Sequence, residues 1–261
     1  MALSTNYKQG RLVGKVAVVT GIGGGIGKGC ALMFARQGAK VVGCGRTPAT
    51  VQATVDEARK EGLEMEGLAP CDVMTEEGNQ QLIDFAVKKY GGIDILLTAA
   101  GVAAFKPVDQ MSFQEWNYTI KGELDVVFLA CKAAWPHLIA RGGGSIINIG
   151  SLNAYLTLEG SAALAHCATK GGVVAMTRQL AAEGAPHNIR ANTISPGLIE
   201  TPATSGPLAT PGFLENVLSK AMIKRLGQPE DIAWCATYLA SDESTWVTAS
   251  DFFVSGGANA L

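Results

Sequence analysis

Short apolar runs recur along the chain, with stretches of helical apolar spacing between them. The runs Val16–Val19, Lys40–Gly43, Gly67–Ala69, Ile93–Leu97, Ser145–Ile149, Arg190–Ile194 and Asp251–Val254 have strand length and read as strands. Helical spacing predicts helices over Ile26–Gln37, Ala49–Glu61, Glu76–Lys89, Ser112–Ala134 with a bend near Gly122, Ala162–Ala185 and Pro229–Ala240. Strands alternating with helices imply a parallel sheet with helices on both faces. Right-handed crossovers then give an α/β fold, a Rossmann-type doubly wound sheet that binds ligands at the carboxyl ends of its strands. Neither repeat nor linker interrupts the pattern, so residues 1–261 are expected to form one domain. The Pro-, Gly- and Thr-rich stretch from Ser195 to Gly212 is the one long irregular segment. Its position after a strand predicts a mobile flap over the site, at about residues 198–220.

The turn after the first run carries the strongest chemical signal. Thr20-Gly21-Ile22-Gly23-Gly24-Gly25-Ile26-Gly27 joins a strand to a helix. In that context glycines let the backbone turn sharply and approach a pyrophosphate, and the helix start offers free N–H groups to it.

Composition narrows the class. Of the 261 residues 48% are apolar and 17% charged, which supplies a sizeable core, and the net charge of -2 points away from nucleic acid and anionic membranes. Cys30, Cys44, Cys71, Cys131, Cys167 and Cys235 are scattered and read as reduced core thiols in a reducing compartment. No apolar run reaches the length of a membrane span, and Met1 to Gly10 is polar, so a cytoplasmic location is expected. The three histidines have no paired spacing, so no metal site is expected. His137 and His187 read as structural.

Further motifs follow the glycine turn: Cys71-Asp72-Val73, Gly92-Ile93-Asp94-Ile95-Leu96 leading to Thr98-Ala99-Ala100-Gly101, Ser195-Pro196-Gly197-Leu198-Ile199-Glu200-Thr201, Arg225-Leu226-Gly227-Gln228-Pro229-Glu230-Asp231, and Val254-Ser255-Gly256-Gly257. With them the chain resembles the short-chain dehydrogenase/reductase family from about Gly10 to Gly257. The resemblance implies a nucleotide site built by Thr20, Gly21, Gly25, Ile26, Gly27, Asp72, Val73, Ala100, Gly101, Lys170, Pro196, Gly197, Ile199 and Thr201. It places Asp72 at the adenine ring and the Pro196 segment at the nicotinamide carboxamide. It also implies a homotetramer, or a homodimer, acting on a small molecule.

The end of the second strand bears on cofactor choice. An enzyme of this fold that prefers NAD usually carries an acidic residue at the position of Gly45, where it holds the ribose hydroxyls. Here no carboxylate opposes a 2'-phosphate, and Arg46 follows to pair with it. NADP(H) is therefore expected.

The catalytic pattern departs from the family's at two positions of four. The family uses Asn, Ser, Tyr and Lys. Ser151 matches the Ser and Lys170 the Lys. Four residues before Lys170, at the Tyr position, stands His166; seven residues after Trp116, at the Asn position, stands Glu123. Tyr155 lies fifteen residues before Lys170 and is expected to line the substrate pocket instead. His166 and Lys170 are i and i+4 and share a helix face. An ammonium beside an imidazole lowers its pKa and a carboxylate raises it, so Glu123, His166 and Lys170 together suit general acid/base work.

Three functions are compatible with these residues. The first is an NADP-dependent alcohol dehydrogenase or carbonyl reductase using Ser151, His166, Lys170 and Glu123. The second is a redox-neutral lyase, dehydratase, isomerase, dehalogenase or epimerase on the same scaffold. The third is a binding protein that keeps the nucleotide site. Ala103, Phe105, Asn153, Tyr155, Leu158, Leu198 and the flap are expected to shape a largely apolar pocket for a small to medium substrate bearing oxygen.

Overall fold

All seven strand-like runs form strands: β1 (Val16–Thr20), β2 (Lys40–Cys44), β3 (Met65–Leu68), β4 (Ile95–Thr98), β5 (Gly144–Ile149), β6 (Ile189–Pro196) and β7 (Asp251–Val254). The computed structural model describes residues 10–157 and 161–260. Among these the strands make one sheet in the order β3-β2-β1-β4-β5-β6-β7, parallel at every pairing. The helices are α1 (Gly25–Arg36), α2 (Pro48–Lys60), α3 (Glu76–Tyr90), α4 (Phe113–Ile120), α5 (Val126–Ala140), α6 (Leu164–Gly184), α7 (Ser205–Leu208), α8 (Phe213–Ser219) and α9 (Pro229–Ala240).

Side chains on a strand alternate between faces, and both faces here are apolar. Ala17 and Val19 of β1, Ile95 and Leu97 of β4 and Ile147 of β5 pack in one core with α1, α2 and α9. Their alternates Val18, Leu96 and Ile146 pack in a second core with α3, α5 and α6. Burial on both sides is why these strands read as unbroken apolar runs. The strand order reverses between β1 and β4. The crevice at their carboxyl ends is where such a sheet binds ligands.

The predicted helix over Ser112–Ala134 is three pieces. Ser112 caps α4 by a reciprocal box, its hydroxyl accepting the Glu115 N–H while the Glu115 carboxylate accepts the Ser112 N–H. A π-turn over Lys121–Asp125 replaces the expected bend, and α5 then runs six residues past Ala134. At the π-turn the chain presses on the loop after β4. A Cβ on Gly122 would lie 2.4 Å from the Val102 carbonyl oxygen, so no other residue fits there without a shift. π-turns recur at functional sites because they re-aim one side chain. This one carries the buried Glu123.

The segment expected to form a flap, about residues 198–220, contains the two short helices α7 and α8. Its first turn is set by Thr204, whose hydroxyl accepts the Thr201 N–H at 2.9 Å and donates to the Ile199 carbonyl at 2.8 Å. Such local side-chain bonds are hidden in a Pro- and Gly-rich composition. No helix among the described residues is long and apolar enough to cross a membrane.

Candidate active site

A cavity of about 430 Å³ opens at the reversal point. Its floor is the glycine turn between β1 and α1. Gly21 has φ +79°, a left-handed conformation that favours glycine, and a Cβ there would lie 2.9 Å from the Cα of Ala100. On Gly27, a Cβ would lie 2.3 Å from the Gly21 carbonyl oxygen. The two loops are tied together by Thr20, whose hydroxyl accepts the Ala99 and Ala100 N–H groups, both at 3.0 Å.

Gly21, Gly25, Ile26, Gly27, Arg46, Asp72, Val73, Ala100, Gly101 and Thr201, all singled out in the sequence, line this cavity. Thr20, Lys170, Pro196, Gly197 and Ile199 do not. Thr20 braces the loops from behind, and Ile199 is buried in a bridge to Gly227. Gly197, Ile199 and Leu198 line a separate cavity of about 150 Å³ between α8 and the segment after β7. Asp72 turns part of its carboxylate back onto the Met74 N–H at 3.0 Å. Arg46 is exposed at the rim and makes no ion pair among the described residues.

The sheet fixes the cluster of Ser151, His166, Lys170 and Glu123 beside this cavity through a buried polar strut. Thr98 of β4 donates to the Asn148 side-chain oxygen at 2.8 Å, and the Asn148 amide donates to Thr177 of α6 at 2.9 Å. Buried and fully partnered, the strut locks α6 against β5. Lys170 adds a second tie, its ammonium donating to the Ile149 carbonyl at 3.0 Å, two residues before Ser151.

Glu123, His166 and Ser151 form one hydrogen-bonded chain. Nδ1 of His166 lies 2.8 and 2.9 Å from the two Glu123 oxygens. Nε2 lies 3.3 Å from Ser151 Oγ. Burial by itself raises the Glu123 pKa. The His166 hydrogen bond, the Lys170 ammonium and the Thr169 hydroxyl outweigh it and hold the carboxyl below the usual range. Burial lowers the Lys170 pKa, and Glu123 partly opposes that. An ionised carboxylate only accepts, so Nδ1 carries the proton. In the neutral ring Nε2 then presents a lone pair to the Ser151 hydroxyl.

Two partners of this chain escaped the sequence reading or were under-read by it. Thr169 donates to Glu123 Oε2 at 2.6 Å. Its signal was available, since i and i+3 share a helix face with His166. Phe105 places its ring centroid 5.6 Å from the imidazole and shelters one side of it.

Asn153 sits beside Ser151. Its backbone N–H donates to Ser151 Oγ at 3.1 Å, its side-chain oxygen accepts the Ser151 hydroxyl at 3.4 Å, and its side-chain NH2 donates to the Cys167 sulfur at 3.9 Å. Tyr155 turns the other way: its hydroxyl donates to Asp251 at 2.8 Å and its ring meets Phe253 edge-on. No phenol therefore touches His166 or Ser151 among the described residues. Leu158 lies outside the described residues.

The fold and cleft have many relatives. A family model described as enoyl-(acyl carrier protein) reductase matches residues 21–259. A D-threitol dehydrogenase of Mycolicibacterium smegmatis is 35% identical over 248 residues, covering 95% of this chain and 94% of that one. A 7α-hydroxysteroid dehydrogenase solved with NADH and 7-oxo glycochenodeoxycholic acid is 34% identical with a TM-score of 0.90, covering 95% of each chain. An actinorhodin polyketide ketoreductase solved with NADPH is 28% identical with a TM-score of 0.89, covering 95% of this chain and 98% of that one. With a glycine-floored cleft at the sheet's reversal point and relatives matched over nearly its whole length, the chain belongs to the short-chain dehydrogenase/reductase family of nicotinamide-dependent oxidoreductases.

Proposed function

We propose that the protein is an NADP(H)-dependent oxidoreductase acting on the alcohol or carbonyl of a small to medium, largely apolar substrate, with His166 as its acid/base. The observation that carries this reading is the Glu123–His166–Ser151 chain at the end of β5. It borders the cleft, since a Cβ on Gly101 would lie 3.8 Å from the Glu123 side chain.

The residues present fit a nicotinamide nucleotide. The glycine floor leaves room that side chains would close, and Lys170 spends one of its three ammonium donors on Ile149. Thr20, Gly21, Gly25, Ile26 and Gly27 would cradle the pyrophosphate. Asp72 and Val73 would border the adenine, Ala100, Gly101 and Lys170 the ribose, and Thr201 the nicotinamide, with Pro196, Gly197 and Ile199 supporting that segment from outside the cleft. Such a group, when bound, accepts or supplies a hydride.

The preference for NADP(H) rests on Arg46 and Gly45. Arg46 faces the cleft without an ion-pair partner among the described residues, and Gly45 offers no carboxylate. A Cβ at Gly45 would lie 2.7 Å from Val51 Cγ2, so the site resists an acidic residue there. The relatives were solved with either nucleotide, so the choice falls to these local residues.

In this mechanism Ser151 Oγ hydrogen-bonds the substrate oxygen. During oxidation the substrate hydroxyl gives its proton to Ser151 as Ser151 gives its own to Nε2 of His166. Glu123 holds the ring in the required tautomer and stabilises the imidazolium that forms. The reverse path protonates a carbonyl oxygen. Phe105 and Asn153 would contact the substrate, with Tyr155 and Leu198 further out.

The test is a panel of secondary alcohols and ketones with NADP+, NAD+ and their reduced forms, read as nicotinamide absorbance. Turnover with the NADP pair, lost in His166→Ala, is the expected result. Product without net nicotinamide change would replace this reading by a redox-neutral one. Nucleotide binding without any chemistry would leave a scaffold.

A further inference from the structure

The same three side chains meet the geometric requirements of a different reaction. We propose that the protein also hydrolyses activated carboxylic esters with short acyl groups, using Ser151 as the nucleophile. This activity needs no nucleotide and goes beyond hydride transfer.

Nucleophilic catalysis by a serine requires a base within reach of the hydroxyl and a third group that orients the base. Here Nε2 of His166 is 3.3 Å from Ser151 Oγ, and Nδ1 is 2.8 Å from Glu123. The spacing to the base is loose, as nucleophile–base contacts often are without a substrate. The carboxylate is itself fixed, by Thr169 at 2.6 Å and by burial to 6% exposure. A phenol at position 166 could not serve. With an ordinary pKa near 10 it is an acid toward serine at neutral pH, whereas a neutral imidazole is a base. The change to His166 therefore adds a capacity that the tyrosine form lacks.

Two further features fit. The Asn153 side-chain amide lies beside the nucleophile: its oxygen accepts the Ser151 hydroxyl at 3.4 Å, and its NH2 donates only to the Cys167 sulfur at 3.9 Å, which leaves that NH2 a donor for an oxyanion. The Asn153 backbone N–H donates to Ser151 Oγ at 3.1 Å and supports negative charge there. Ser151 lies at the carboxyl end of β5 and is half-buried.

The steps balance without an oxidant or reductant. The Ser151 hydroxyl proton passes to Nε2 as Oγ bonds to the acyl carbon. The bond from that carbon to the alcohol oxygen then breaks, and the proton on Nε2 leaves with the alcohol. Water next gives a proton to Nε2 and its oxygen bonds to the acyl carbon. Finally Oγ departs and recovers the proton, which yields the free acid.

The experiment uses nucleotide-free protein with p-nitrophenyl acetate, and separately with diisopropyl fluorophosphate read by intact mass and peptide mapping. We expect a burst of p-nitrophenol equal to the enzyme concentration and a single phosphoryl adduct on Ser151. Ser151→Ala abolishes both. His166→Ala and Glu123→Gln slow labelling about tenfold or more, Asn153→Ala slows hydrolysis about 100-fold, and His187→Ala changes nothing. Should Ser151→Ala fail to fold, wild-type protein carrying the adduct takes its place and must lose the ester activity. Folded wild-type protein that shows neither burst nor adduct, or hydrolysis that survives loss of Ser151, overturns the proposal. Because no nicotinamide enters the assay, that failure leaves the oxidoreductase reading standing.

Discussion

Glu123 and His166 are joined by both carboxylate oxygens, at 2.8 and 2.9 Å from Nδ1. The pair brings a π-turn and a helix first turn together across 43 residues of sequence. A fixed carboxylate dictates which ring nitrogen is protonated. It therefore dictates which nitrogen can act as a base.

The carboxylate also links stability to pH. Glu123 titrates below the ordinary range in the folded chain. Such a group stabilises the fold fully above the unfolded carboxylate value, about 4.3, and loses that contribution as pH falls through the folded value. Thermal midpoints of the wild type should therefore drop more steeply between about pH 5 and pH 3 than those of Glu123→Gln. Parallel curves would show that Glu123 is not held as an ion.

Thr169 acts through Glu123. Thr169→Val removes the hydroxyl donor and leaves a buried carboxylate short of a partner. A stability loss of about 1–3 kcal/mol is expected in chemical denaturation. The kcat for the proposed oxidation should fall while KM holds, and Thr169→Ser should restore most of both.

Arg46 makes its own prediction. Charge-assisted hydrogen bonds contribute about 1.5–3 kcal/mol. Arg46→Ala should therefore weaken NADPH about 10- to 100-fold in fluorescence titration and leave NADH unchanged. Equal losses for both nucleotides would assign Arg46 to the pyrophosphate instead.

Gly45→Asp should not by itself make an NAD enzyme. Its Cβ meets Val51, a branched side chain with one strongly preferred rotamer in a helix. Overpacking of this kind costs about 1–3 kcal/mol, read as a lowered denaturation midpoint. Gly45→Asp with Val51→Ala should recover that midpoint and tighten NADH. A single variant as stable as the wild type would contradict the packing argument.

Much of this was legible in the sequence, for identifiable reasons. The strands were found because a doubly covered sheet leaves continuous apolar runs, and Gly21 because a sharp turn leaves a glycine. His166 and Glu123 emerged only as departures from a family pattern, with nothing in their own surroundings to mark them. The π-turn was invisible as such: Gly122 signals close approach, but a π-turn and a bend look alike in a helical period. The helices α7 and α8 are too short to show an apolar period, and the turn into α7 is held by local threonine bonds. Tyr155 was placed by proximity in sequence. Its hydroxyl was claimed by Asp251, 96 residues away, a contact no local pattern foretells.

The central claim is that Glu123 fixes the protonation of His166 so that Nε2 faces Ser151 as a base. Nitrogen-15 spectra of ring-labelled histidine test it without any substrate, since His137 and His187 are the only other histidines and His166→Gln assigns the signal. In its neutral form the His166 ring should carry its proton on Nδ1, with Nε2 bare, and in Glu123→Gln that preference should be lost. A wild-type ring protonated on Nε2 alone would contradict the account.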